Sequence, residues 1–198
     1  MTRLKEIFEG EKRLSDKEGG HVLNTIMLAR LINNLDPNFK IDKDLKDYLN
    51  NSLDPVENWG IYELAVFGNT TGVLDTGITC RMAKELMKRT KFFSVSFKSK
   101  QTLIRTFLNV SSNCIDKGLL EEAKMFMDHL ATLMTKNNRL FFEHVILCYT
   151  KGFYLFKTGE KGKGIQWMER SVAIIEEMEY EETSEFYREH LKELVSEE

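Results

Sequence analysis

Two glycines, each followed at the same spacing by a small residue and a methionine, constrain the fold of this chain most. Gly118 and Gly159 are each followed five residues later by a small residue, Ala123 or Gly164, and after four more by a methionine, Met127 or Met168. Apolar residues around them recur with helical period, which predicts that each glycine ends a helix and that the small residue lies where the next helix touches it. Tetratricopeptide units use the same arrangement with a period of about 34 residues. Here the period is 41 residues, so we expect degenerate units with longer connections.

Helical period extends over nearly the whole chain. Only 2 prolines and 12 glycines occur in 198 residues, so few positions interrupt a helix. The segment KFFSVSFK, residues 91–98, could form a short strand, but it has no evident pairing partner and is expected to be an apolar connector. The sequence predicts an all-α protein, a superhelical stack of antiparallel helix pairs with degenerate tetratricopeptide-like repeats.

The stack is expected to form a single helical repeat domain over residues 1–198. Residues 1–95 are predicted to hold divergent helix pairs, 18–34 with 40–53 and 56–68 with 75–89. The clearest tetratricopeptide-like units are expected in residues 100–180, with helices at 101–117, 119–136, 139–157 and 161–178. Residues 183–198 are predicted to form a C-terminal helix for capping or dimerisation.

Residues 54–69, DPVENWGIYELAVFGN, are predicted to form one sharply bounded helix. Asp54 is a suitable N-cap, Pro55 a suitable first helical residue, and Glu57 would complete a capping box. Gly68 followed by Asn69 is typical of a helix end. Gly60 would weaken the interior of such a helix, which indicates a close packing contact there.

The net charge of −3 argues against general nucleic-acid binding. Residues 81–105, here called the basic segment, hold eight basic residues and one acid, Glu85. Two interpretations remain open. The segment is either a set of solvated helix faces or a basic wall that faces an anionic ligand.

Catalytic and metal-binding patterns find no support. The four histidines and three cysteines lack zinc-site spacing, and calcium, phosphate-loop and nucleophile motifs lack their defining residues. We therefore expect no enzyme, no cofactor and no metal. Cys80, Cys114 and Cys148 are expected to be reduced and buried. The absence of a bilayer-length apolar run and of a signal peptide predicts a cytoplasmic location.

The run E-x-W-G-x-Y-E-L-x-x-F-G-N, from Glu57 to Asn69, closely resembles the central region of Rgg-type (MutR-like) transcriptional regulators of Gram-positive bacteria. The resemblance implies a regulatory domain that binds a short, apolar, re-imported signalling peptide, dimerises, and reaches DNA only through a separate helix-turn-helix domain. No helix-turn-helix is evident here, because residues 1–16 are too short and 17–34 belong to the repeat. The alternative is a constitutive helical scaffold that binds a protein partner without a small ligand.

A concave groove is the expected peptide site, because the first helix of each pair lines the concave side of such a stack. The candidate peptide-binding residues are Arg105, Asn109, Ser112, Ile146, Tyr149 and Phe153. An asparagine amide can hold an extended backbone and an arginine can hold a carboxylate, while the apolar residues would accept side chains. A solvated polar stripe beside a core helix would give the same pattern.

The last helix carries more apolar side chains than a cap needs. Its candidate dimerisation residues are Phe186, Tyr187, His190, Leu191 and Leu194, and its acids follow another side. Dimers with paired DNA-binding domains, which the resemblance implies, would bury this face against its own copy. Capping within one chain is the alternative.

Overall fold

The computed structural model describes residues 2–15, 19–36, 38–53, 56, 59–90, 93, 96–135 and 138–196. These residues form ten α-helices, short 3-10 segments and turns, without a strand, and the all-α prediction is confirmed. The helices are α1 (Thr2–Ser15), α2 (Gly19–Leu35), α3 (Lys43–Leu53), α4 (Ile61–Thr70), α5 (Thr76–Lys88), α6 (Phe97–Asp116), α7 (Leu120–Met134), α8 (Phe141–Lys157), α9 (Lys161–Glu177) and α10 (Glu181–Ser196). The chain divides into two compact units, residues 1–106 and 107–198, and the division falls within α6.

The N-terminal unit begins with α1, a helix that the sequence analysis did not predict. Phe8 of α1 is buried against Ala29 and Ile32 of α2. Its ring meets the edge of Phe39 at a centroid distance of 5.4 Å. Leu4, Ile7 and Phe8 of α1 recur at helical spacing, and burial of Phe8 stabilises this helix through tertiary packing.

Helix α4 begins six residues later than predicted, at Ile61 rather than Pro55. Val56, Trp59 and Gly60 are not helical, whereas Asp54, Pro55 and Glu57 lie outside the described residues. Gly60 is the N-cap, and its N–H donates to the Glu63 carboxylate at 2.9 Å. This bond satisfies an amide at the helix start, so the first turn forms at Ile61.

The predicted end at Asn69 lies within one residue of the observed end at Thr70, but Gly68 and Asn69 are themselves helical rather than the residues that stop the helix. Gly68 is required by a close contact instead. A Cβ at position 68 would lie 2.9 Å from Oγ1 of Thr106 and 3.1 Å from its Cα. The Thr106 hydroxyl in turn donates to the Leu64 carbonyl at 2.9 Å. The close packing expected at Gly60 therefore occurs two turns later.

The C-terminal unit uses one type of turn three times. The residues with positive φ are Gly118 at 74°, Gly159 at 98° and Glu179 at 60°. Each following N–H bonds back across the helix end: Leu119 to the Cys114 carbonyl at 2.8 Å, Glu160 to Leu155 at 2.9 Å and Tyr180 to Ile175 at 3.3 Å. This is the Schellman pattern, and the next helix begins at once.

The small residue five positions after each turn residue is buried, as the repeat predicts. These residues are Ala123, Gly164 and Ser184. At Gly164 the approach is closest, because a Cβ there would lie 2.6 Å from the Gly152 carbonyl oxygen. The reciprocal Cβ at Gly152 would lie 2.8 Å from the Gly164 carbonyl oxygen. Backbones of α8 and α9 thus touch directly, which only glycine permits at this separation.

Cys80 and Cys114 are buried as expected, but Cys148 is exposed, so that prediction was wrong for one cysteine. Cys148 lies on the least buried stripe of α8, whose other members recur at helical spacing: Phe141, His144, Lys151 and Leu155. The exposed face of α8 cannot be recognised from its composition, because apolar residues also lie on it. Phe141, for example, is 54% exposed.

Candidate functional site

The polar candidates of α6 remain accessible. Arg105 and Asn109 are exposed one helical turn apart, and Ser112 is half-buried. Arg105 belongs to the N-terminal unit and the other two to the C-terminal unit. Arg105 and Asn109 each already interact with another group of the protein, so a ligand would compete with or extend those interactions.

The apolar candidates of α8 are buried. Ile146 is 7% exposed, and Tyr149 and Phe153 are each 2% exposed. The rings of Tyr149 and Phe153 are covered by residues of α10 rather than open to solvent. A ligand could reach these two rings only after α10 moves away.

Several ring contacts join the α8 region to the α10 region, and we call the three that share no residue the aromatic ladder. Phe142 meets Tyr180 at 5.6 Å, Tyr149 meets Tyr187 at 4.5 Å, and Phe153 meets His190 at 4.9 Å between ring centroids. Partners are 37 or 38 residues apart and occur in the same order, so α8 and α10 run parallel. Parallel first helices are what stacked helix pairs produce.

The Tyr149 hydroxyl fixes the middle of the aromatic ladder. It donates to the Tyr187 carbonyl oxygen at 3.0 Å and lies 2.8 Å from Nδ1 of His190. Since a hydroxyl has one proton, Nδ1–H of His190 can donate back to the oxygen. Burial raises the pKa of the Tyr149 phenol, and it raises the pKa of Tyr187 to about 12. Both phenols therefore stay neutral at ordinary pH.

Four of the five dimerisation candidates pack within the chain. Leu191 and Leu194 are buried, and Tyr187 and His190 are half-buried members of the aromatic ladder. Phe186 is 58% exposed and contacts the Tyr187 ring edge at 5.2 Å. Only Phe186 among them presents a large apolar surface outward.

The basic segment is partly solvated. Arg81, Lys84, Lys88 and Arg105 are exposed, and Lys91 lies outside the described residues. The single acid of the segment, Glu85, accepts from Lys88 at 2.6 Å, and this bond lowers the pKa of Glu85. Arg81, Lys84 and Arg105 each already interact with another group of the protein, so an anionic ligand would compete with or extend those interactions.

Metal and membrane features are not found in the part of the chain that the structure describes. Its His, Cys, Asp and Glu side chains form no group of three that could hold a metal ion. None of its helices has the length and apolarity needed to cross a bilayer.

Sequence reasoning assigned Tyr149 and Phe153 to one function and Tyr187 and His190 to another, although the structure places the four together. A signal for this contact was present in the sequence. Aromatic residues recur at 38 residues, from Phe142 to Tyr180 and from Tyr149 to Tyr187. The 41-residue period of the glycines differs from this 38-residue period and concealed it. The two periods differ because the connection between α9 and α10 is shorter than the one between α7 and α8.

Solved structures share this fold at low sequence identity. The SHP pheromone receptor Rgg2 of Streptococcus dysgalactiae has a TM-score of 0.74 and 18% identity, over 97% of this chain and 73% of that one. A second structure of that receptor gives 0.74 and 18%, over 96% and 71%. A Listeria monocytogenes EGD-e protein described as a transcriptional regulator gives 0.75 and 15%, over 98% and 68%.

The helical fold and these likenesses define the class of the chain as an all-helical domain. Its family is one of transcription regulators and not of enzymes. Residues 7–189 match the family described as the C-terminal domain of the HTH-type transcriptional regulator Rgg. The chain belongs to that family, and the resemblance carried by residues 57–69 is confirmed.

Proposed function

We propose that this chain is the effector domain of an Rgg-type regulator, which binds a short apolar signalling peptide and passes the signal to DNA through a separate helix-turn-helix domain. The family match over residues 7–189 carries the proposal. The likeness to a pheromone receptor supports the peptide as the ligand. Such a peptide would act in quorum sensing and would meet the domain in the cytoplasm after re-import.

Arg105 and Asn109 are assigned direct contact with the peptide, because both are exposed on α6. The arginine would pair with a carboxylate, and the amide would hold an extended backbone through its donor and acceptor. Ser112, which is half-buried, would add a hydroxyl on the same helix. Tyr149 and Phe153 would accept peptide side chains only if α10 moved away from them. Ile146 is also buried and would have to be uncovered.

Peptides encoded beside the gene provide the test. The cognate peptide should raise the melting temperature of the wild-type chain, and Arg105→Ala with Asn109→Ala should weaken its binding by at least about tenfold, the effect of about 1.4 kcal/mol. Arg170→Ala removes an exposed arginine from α9 and serves as the control. If no such peptide binds, the scaffold alternative stands instead.

The basic segment is proposed to attract the peptide. Binding should then weaken as salt rises, because exposed charge attraction is screened. Measuring the dissociation constant at low and high ionic strength decides between a basic wall and solvated faces. An affinity independent of salt favours the solvated faces.

We also propose a homodimer through α10, with Phe186 at its centre. The exposed phenyl ring is the observation that favours this face. Light scattering at tens of micromolar should show a dimer, and Phe186→Glu should shift it to a monomer. A Leu191→Glu variant would be ambiguous, because Leu191 is buried within the chain and its substitution disturbs folding. A wild-type monomer at that concentration contradicts the dimer.

A further inference from the structure

The N-terminal unit contains a cavity of about 490 Å³ that the sequence analysis did not anticipate. Its volume lies in the range of about 300–1,000 Å³ that is usual for small-ligand sites. Four aliphatic side chains and four polar ones surround it: Ile7, Met27, Leu28 and Leu31, with Glu11, Asn24, Arg30 and Asn69. The cavity is open on one side, because Ile7 and Leu31 are about half exposed. An open apolar cavity with a few charged and amide groups fits a small amphipathic ligand.

One end of the cavity is marked by Arg30, whose guanidinium is held in place. Nη1 donates to the Asn33 side-chain oxygen at 3.2 Å. The guanidinium also lies on Gly72, where an added Cβ would come within 2.5 Å of Cζ. Asn33 is itself anchored, because its amide donates to the Phe39 carbonyl at 2.7 Å. A positioned guanidinium is a suitable partner for a carboxylate.

The other end is marked by Glu11. Its Oε2 atom lies 2.8 Å from Nδ1 of His21 and 3.4 Å from Nδ2 of Asn24. These bonds lower the pKa of Glu11, with the His21 contact as the largest cause. The ionised carboxylate repels an anion and accepts an N–H donor. The two ends of the cavity therefore prefer opposite groups of a ligand.

The spacing between the ends sets the size of that ligand. Asn24 and Arg30 are six residues apart on α2, which corresponds to about 9 Å along the helix axis. Met27, Leu28 and Leu31 lie between or beside them on the same helix. Two extended amino-acid residues span about 7 Å. An N–H donor, an aliphatic side chain and a terminal carboxylate of a dipeptide unit would match this order.

We propose that the cavity binds the C-terminal end of an apolar peptide, with its carboxylate on Arg30, an amide N–H on Glu11, and its last aliphatic side chains among Ile7, Met27, Leu28 and Leu31. The proposal rests on the proposed function, which supplies a peptide as the ligand. It adds a site, lined by residues of α1, α2 and α4, that recognises the end of the peptide chain.

The test uses N-acetyl-Leu-Leu with a free carboxylate and the same compound as its carboxamide. Calorimetric titration into the full chain should show saturable binding of the acid at about 10 mM or below, a range that needs about 3 kcal/mol. The carboxamide should bind at least tenfold more weakly. Equal binding of acid and amide, or no binding of the acid at this concentration, overturns the proposal.

Four variants place the binding in the cavity. Arg30→Ala should weaken binding of the acid at least tenfold and leave binding of the carboxamide unchanged. Gly72→Ala should have the same effect, because the added Cβ would displace the Arg30 guanidinium. Leu31→Glu, at a position 48% exposed, should repel the carboxylate without disturbing the core. Leu35→Glu, one turn further and 59% exposed, is its matched control and should bind as the wild type does. Unchanged affinity in both Arg30→Ala and Leu31→Glu would contradict the assignment.

These results separate the two proposals. If the dipeptide binds in the cavity but no full-length signalling peptide binds the chain, the proposed function fails and the cavity assignment stands as a carboxylate site. If a signalling peptide binds with the same affinity in the wild type and in Arg30→Ala, the cavity assignment fails and the proposed function stands.

Discussion

The two units connect their helices in different ways. In the C-terminal unit, three connections repeat one backbone turn, at Gly118, Gly159 and Glu179. In the N-terminal unit, the connections differ from one another and are held by side chains: the Asn33 amide on the Phe39 carbonyl, Glu63 on the Gly60 N–H, and Asp75 on the amides of Gly77 and Ile78.

This difference has a consequence for packing. A repeated backbone turn brings successive helices together with the same geometry, and α8 and α9 meet closely enough that Gly152 and Gly164 touch. Irregular connections do not impose one spacing, and the cavity beside α1 and α2 lies in that unit. Connections that repeat one backbone turn therefore favour tight contact between helices, whereas varied connections leave space between helices that a ligand can use.

The largest expected effect concerns Phe8, which packs α1 against α2 in the N-terminal unit, here called the irregular unit. Phe8→Ala should lower the free energy of unfolding by about 3 kcal/mol or more, because Phe8 is 4% exposed and its ring fills the α1–α2 core. Hydrogen exchange of α1 amides should accelerate with it. Leu14→Ala, on the same helix but 44% exposed, is the control and should cost little. Equal effects at both positions would mean that α1 is not held through Phe8.

The C-terminal unit, here called the regular unit, should lose most stability when a side chain is added where the backbones of α8 and α9 touch. Gly164→Ala should cost about 2 kcal/mol in urea unfolding, because the new Cβ would meet the Gly152 carbonyl and force α8 and α9 apart. Gly162→Ala is the matched control, since nothing lies within 4 Å of a Cβ there. That control should be neutral or slightly stabilising. A neutral Gly164→Ala would remove the argument for tight closure.

The aromatic ladder can be tested through one hydroxyl. Tyr149→Phe should cost about 1.5 kcal/mol, because it leaves the Tyr187 carbonyl and His190 without their buried partner. Tyr180→Phe changes the end of the same ladder, where the tyrosine is 49% exposed, and should cost less than about 0.5 kcal/mol. Similar costs at the two positions would show that ring packing alone joins α8 to α10.

Alkaline pH should weaken the C-terminal unit. The pKa of Tyr187 is raised from 10.0 to about 12, so the unfolded chain loses the phenolic proton first. Its contribution to stability is complete below pH 10 and is lost as pH rises toward about 12, with a slope of about 1 kcal/mol per pH unit. Tyr187→Phe should make the slope between those pH values shallower without removing it, because burial also raises the pKa of Tyr149. An unchanged slope would contradict the burial of this phenol.

The smallest effect distinguishes the third turn from the other two. Glu179 has φ of 60°, where Gly118 and Gly159 occupy the equivalent positions. Glu179→Gly should therefore stabilise the chain by about 0.5–1 kcal/mol by relieving a left-handed side chain. Glu177→Gly, at the end of helix α9, should destabilise it by a similar amount. A stabilisation by both changes would point to an effect outside the turn.

The sequence predicted the regular unit better than the irregular one, for a physical reason. Backbone turns need glycine and small residues at fixed steps, so Gly118, Ala123, Gly159 and Gly164 reveal them directly. The start of α4 depends on which residue is the N-cap. Local propensity favoured Asp54, whereas the N-cap in the structure is Gly60, whose N–H donates to Glu63. Helix α1 depends on the distant partners of Phe8, which no local pattern contains.

Contacts between distant residues limited the site prediction in the same way. The exposed positions of Arg105 and Asn109 follow from helical period, and the structure places them at the surface. The burial of Tyr149 and Phe153 depends on α10, which is nearly 40 residues away in the sequence. The cavity combines residues of α1, α2 and α4, and its position depends on how three helices meet.

The three equivalent turns also matter for how such a chain can change its length over evolutionary time. A duplication or deletion with end points at Gly118 and Gly159 would rebuild the same backbone turn at the new junction, since both residues have positive φ and the same step to a small residue. Unequal recombination at these points would therefore add or remove whole helix pairs in frame with the fold. The C-terminal unit can therefore grow by copying, whereas the described residues of the N-terminal unit contain no such equivalent points.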